Sequence, residues 1–149
     1  MKARKPFASI RSKHRYLFLL LFAILLAACA PEQPVDPPPA NDIEVEFTLR
    51  TGRENSDLMF VGVGGDIDGE INPTLVVPAG ERFRLNLIND TGLQHNIAIR
   101  ELDIATPFIS GPGEEIWLNV EATTPQTLTY YCQVAGHAEA GMEGQIIVE

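Results

Sequence analysis

The sequence predicts an all-β domain, a sandwich or barrel of about eight strands. From Ile43 onward, short apolar and polar alternations recur roughly every 8 to 15 residues. They are separated by clusters of Gly, Pro, Asn and Asp, and no segment keeps a helical period over three turns. Residues 42–149 are enough chain to bury one core on that plan.

Ile43, Val45, Phe47 and Leu49 alternate with Glu44, Glu46, Thr48 and Arg50, so the first strand has one buried face. The second covers Leu58 to Val63, and the turn-rich stretch Gly64 to Gly69 follows. Asp66, Asp68 and Glu70 within and beside it lack the full ligand pattern of a calcium loop, so the stretch reads as a turn. Thr74 to Val77 and Arg82 to Asn89 are the next strands, parted by Pro78-Ala79-Gly80. Asn89-Asp90-Thr91-Gly92 then turns the chain into a strand at His95 to Arg100. Ile104 to Gly113 reads as a longer connection that packs an aromatic, Phe108, under a loop. Glu115 to Val120, Gln126 to Tyr131 and Gln145 to Val148 complete the set, with Tyr130 and Tyr131 as alternating core and surface aromatics.

The region before Ile43 has a different texture. Lys2, Arg4, Lys5, Arg11, Lys13 and Arg15 precede the apolar run Leu17 to Ala28, which is too short to span a bilayer comfortably, so residues 1–28 read as an export signal. The run ends in Leu26-Ala27-Ala28-Cys29, which resembles the lipobox of bacterial lipoproteins. Cys29 would then be the first mature residue and carry lipid, placing the domain in the cell envelope, facing the periplasm or the exterior. Residues 29–41, with Pro31, Pro34, Pro37, Pro38 and Pro39, form a semi-rigid tether reaching roughly 30 Å at about 3.1 Å per residue. Without the signal, five arginines stand against 20 acidic residues, a net charge of −15. Such a surface repels nucleic acid and would speed association with a basic partner, but acidity alone names no partner, and a plain solvated acidic face accounts for it equally well.

Chemistry is concentrated near the C-terminus. Cys132, His137 and Met142 follow one another at five-residue intervals in a loop between two strand-like runs. Thiolate, imidazole and thioether together select copper in an electron-transfer site, where a second histidine is the expected fourth ligand; His95 supplies it. A lone histidine is usually structural and a lone methionine is usually core filler. Here both mature histidines and the one cysteine besides Cys29 fall on the pattern. With only Cys29 and Cys132 present, an intradomain disulfide is not expected, and Cys132 is free for chemistry.

Three motifs carry a family resemblance: Asn72-Pro73-Thr74-Leu75 leading to Gly80, Asn89-Asp90-Thr91-Gly92-Leu93-Gln94-His95-Asn96, and Tyr131-Cys132 through Gly136-His137 to Gly141-Met142-Glu143-Gly144. Residues 42–149 resemble a cupredoxin, the blue-copper family that includes plastocyanin, azurin and the copper domains of nitrite reductases; the loop is most similar to nitrite-reductase-related bacterial domains. The resemblance implies a Greek-key β-sandwich holding one type 1 copper on His95, Cys132, His137 and a weak axial Met142. It also implies that Asn96 ties the two ligand-bearing segments together. The function expected is one-electron transfer between redox proteins, such as a cytochrome, a copper reductase or an oxidase, by a protein that is not itself an enzyme. Copper delivery or storage, and service as the donor to one copper nitrite reductase or terminal oxidase, are the alternatives. The oligomeric state stays open, with a monomer expected.

Overall fold

The computed structural model describes residues 43–149; the stretches expected to be an export signal and a tether, with Cys29 between them, lie outside the described residues. Nine strands and one 3-10 turn make up the described part: β1 (Val45–Glu54), β2 (Asp57–Val63), β3 (Leu75–Val77), β4 (Arg82–Ile88), β5 (Ala98–Ile99), β6 (Ile104–Ala105), β7 (Glu115–Glu121), β8 (Gln126–Tyr131) and β9 (Glu143–Val148), with the turn at Gly65–Ile67. They form two mixed sheets, in the orders β2-β1-β4-β7 and β3-β9-β8-β5-β6. Pairs β1 with β4 and β3 with β9 are parallel, and the other ladders are antiparallel.

The period-two patterns set which face is buried. In β4, Phe83, Leu85 and Leu87 are fully buried against the facing sheet. Leu49 and Phe60 join them from β1 and β2, and Leu75, Val77, Leu128, Tyr130, Ile146 and Val148 come from the other sheet. Across this core the Phe60 and Tyr130 rings lie 5.4 Å apart at 59°, an arrangement that suits the quadrupoles of two aromatic rings. Burial pushes the Tyr130 phenol far up its titration range, so the hydroxyl stays protonated and donates to the Pro73 carbonyl at 2.7 Å.

Three expectations change. The first strand runs on to Glu54 and turns directly into β2 around Asn55, whose φ is 55°. Its outer end, Thr51-Gly52-Arg53-Glu54, carries no apolar alternation: the inward position is taken by the polar Thr51, which is buried, and Arg53 and Glu54 are exposed. The expected strand from His95 to Arg100 has only Ala98–Ile99 in a ladder, while His95 makes an isolated bridge to Ile109. The connection after Ile104 begins with the short strand β6, and Phe108 is 50% exposed, where the sequence placed it under a loop. Ile109 is the buried residue, since side chains on neighbouring extended residues point opposite ways.

Gly144 pairs directly with Tyr130 across β8 and β9, and a Cβ at this position would overlap the Tyr130 ring. Gly144→Ala should therefore destabilise the fold by about 1–3 kcal/mol through overpacking. A lowered urea midpoint with an unchanged m-value is the expected result.

Candidate metal centre

Three donor atoms converge at one end of the sandwich. His95 precedes β5, Cys132 follows β8 by one residue, and His137 lies in the loop that returns to β9 through Met142. The Cys132 Sγ is 3.5 Å from His137 Nδ1 and 3.9 Å from His95 Nδ1, and the ligand atoms of all three residues lie within 4.8 Å of one another. The two imidazole rings are 4.9 Å apart at 51°. His95, Cys132 and Met142 are buried, whereas His137 is half-buried and forms the outward edge of the set. The sequence-predicted His95, Cys132 and His137 are thus brought together, and Met142 is enclosed in the core at the end of the same loop.

The loop closes on itself. The Cys132 amide donates to the Met142 carbonyl at 3.2 Å, and the Met142 amide donates to the His137 carbonyl at 3.0 Å. Turns at Val134 to His137 and Gly136 to Ala140 complete it, with Gly136 at φ 85° and Gly141 at φ 101°, where a side chain would be strained. Its far side is fixed to β2: the Leu58 amide donates to the Ala140 carbonyl, and the Asn72 amide group donates to the Gly141 carbonyl at 2.8 Å while accepting from the Phe60 amide.

The His95 segment is anchored separately. His95 and Ile109 exchange two backbone hydrogen bonds of 2.9 Å. The Asn96 Oδ1 accepts from the Gln133 amide at 2.8 Å, and its Nδ2 donates to Gln133 Oε1 at 2.9 Å and to the Thr106 carbonyl. Asn96, expected to join the two segments, therefore does so through Gln133. Behind His95, the ring Nε2 lies 2.7 Å from the Thr91 hydroxyl, which belongs to a network with Asn89 and Thr51. In the sequence Asn89 to Gly92 reads as a turn, and no local signal marks Thr51 or Gln133 for a role. Nothing in the local pattern connects Thr51 to Asn89, 38 residues away.

The donors are electrically neutral in the metal-free site near pH 7. Burial, and then the neighbouring His137, lower the His95 pKa to about 4. Burial also lowers that of His137. Burial raises the Cys132 thiol, against the opposing pull of hydrogen bonds from the backbone amides of Asn96 and Val134. Two unprotonated imidazoles and one thiol suit a soft cation that displaces the thiol proton. The separations also leave room for a single ion bonded to all three at about 2.0–2.3 Å.

The shift on His95 fixes a pH dependence. A histidine depressed from 6.5 to about 4 takes up its proton in the unfolded chain first, so stability is lost as pH falls between those values. At about 1.4 kcal/mol per pH unit the loss reaches about 3 kcal/mol. The urea midpoint of the metal-free protein should be flat between about pH 7 and 8 and fall steadily from pH 6.5 to 4, and His95→Gln should remove most of that slope.

No protein-family model matches the chain. Rusticyanin from Acidithiobacillus ferridurans is 29% identical over 105 residues, covering 56% of this chain and 54% of that protein; the chain thus spans about half the length of the curated relatives it matches. The structure of rusticyanin from Thiobacillus ferrooxidans superimposes with a TM-score of 0.56 at 24% identity, covering 70% of this chain and 76% of that one. Reduced auracyanin from Roseiflexus castenholzii gives 0.53 at 19% identity, covering 70% and 96%. With its two mixed sheets and a His, Cys, His set at one end, the chain has the cupredoxin fold.

Proposed function

We propose that the protein is a type 1 copper protein that carries single electrons between redox partners outside the cytoplasm. The observation that supports this reading best is the convergence of Cys132 Sγ and His137 Nδ1, both on one self-closed loop, with the Nδ1 of the buried His95 from a separate segment. His95, Cys132 and His137 would hold the metal, with Met142 as a weak fourth ligand, the donor set of an electron-transfer copper site. Copper, when bound, supplies the one-electron couple. The chain's part is to hold the donors in place, exclude water from His95 and Cys132, and keep both imidazoles unprotonated.

Catalysis would need a second metal site with further histidines, and the third histidine, His14, belongs to the export signal. Delivery or storage would call for ligands that release metal readily; full burial of His95, Cys132 and Met142 favours retention. A dedicated donor to a copper nitrite reductase or terminal oxidase is a narrower form of the leading reading. Anchoring through Cys29 and the proline-rich tether rests on the sequence pattern of residues 1–41, and a basic redox partner fits the acidic surface.

Two experiments check the proposal. Cu(II) added to residues 42–149 should give an intense visible charge-transfer band that Cys132→Ser abolishes, while Met142→Leu should keep copper and raise the reduction potential. Copper binding without the band would refute the type 1 assignment, and an unchanged potential would remove Met142 from the ligand set. Mass spectrometry of the protein from its native membrane should find Cys29 as a lipid-modified first residue; a longer or unmodified N-terminus would rule out the anchor.

A further inference from the structure

The hydroxyl behind His95 decides which ring nitrogen faces the donor set. Thr91 Oγ1 lies 2.7 Å from His95 Nε2, 3.3 Å from Asn89 Oδ1 and 3.3 Å from the Leu93 amide nitrogen. The Leu93 amide can only donate, so the single Thr91 proton has two destinations, His95 Nε2 or Asn89 Oδ1. The Asn89 amide is oriented by its Nδ2, which donates to the Leu93 carbonyl at 2.8 Å, so the oxygen faces Thr91. Thr51 secures that oxygen from the other side. Its hydroxyl accepts from the Asp90 and Thr91 amides, and its own proton goes to Asn89 Oδ1 at 3.2 Å.

The two arrangements are unequal. If Thr91 donated to Nε2, the ring proton would sit on Nδ1, a fully buried N–H with the Cys132 sulfur 3.9 Å away as its weak partner. A buried donor so poorly matched is costly. If Thr91 instead donates to Asn89, Nε2 carries the ring proton and donates over a short 2.7 Å bond. Every group in the chain Thr51, Asn89, Thr91, His95 then has a partner, and the Nδ1 lone pair is left bare beside Cys132.

We propose that Thr91 is a positioning residue that locks His95 in the Nε2–H form and aims its Nδ1 at the metal. The inference rests on the copper reading of the site for its function, but the tautomer can be read without metal. Outer partners of this kind fix the orientation of a ligating histidine, and their loss typically weakens metal binding by about 10- to 100-fold.

The test uses the full chain, its Thr91→Val variant, which keeps the shape and removes the hydroxyl, and Thr91→Ser, which restores it. Long-range proton–nitrogen correlation spectra of the metal-free proteins report the His95 tautomer directly. The parent and the serine variant should show Nε2–H alone, and the valine variant a mixture. In competition with a chelator, Cu(I) should bind the valine variant about tenfold more weakly than the other two. An Nδ1–H tautomer in the parent overturns the proposal, and needs no variant to fold. So does a valine variant whose tautomer and Cu(I) affinity both match the parent. Absence of copper binding in the parent would instead count against the copper reading, and leaves the tautomer result to judge Thr91.

Discussion

The site depends on one junction between segments 37 residues apart. Asn96 and Gln133 follow His95 and Cys132 directly, and their side-chain and backbone bonds clamp the two donors at a fixed separation. The β5 and β8 ladder repeats the constraint a few residues on, where Ala98 pairs with Tyr131 and Ile99 with Tyr130. A slip of one residue in that register would send Tyr130 out of the core and move the Cys132 thiol away from His95. The packing that stabilises the sandwich and the geometry that assembles the ligands are therefore fixed by the same register.

This arrangement works against the fold when no metal is present. Polar donors are buried at the edge of a hydrophobic core, and burial drives each toward its neutral form. Neutrality keeps the nitrogen lone pairs available, yet it makes the metal-free protein sensitive to acid. A soft cation reverses the balance, since it replaces the thiol proton and gives the buried lone pairs a partner.

The candidate donors were legible because their residue types are scarce. Cys132, His137 and Met142 sit at even spacing in one loop, and the remaining histidine of residues 42–149 is His95, so the donor types themselves point to a soft metal. Strands with a full apolar face, such as Arg82–Ile88 and Gln126–Tyr131, were legible from alternation alone. Short or mixed elements were not. Ile104–Ala105 is a two-residue strand without a period, and the choice between Phe108 and Ile109 as the buried residue is made by the bridge to His95, which local sequence does not encode. Thr51 continues the inward phase of Leu49, and its polarity hid a buried position whose partner, Asn89, lies on a different part of the chain.

The supports behind the two histidines differ in kind. His95 is held by bonds to other elements, through Ile109 and Thr91. His137 rides on a loop whose bonds are mostly its own, from Cys132 to Met142, with β2 and Asn72 bracing the far side. Such a loop has already lost its conformational freedom when the domain folds, so binding a metal orders little further chain. On the copper reading, a site shaped before its ion arrives would resist being reshaped when that ion changes charge. Low reorganisation then follows from hydrogen bonds in the protein, and the scaffold rather than the metal sets the positions of the donors.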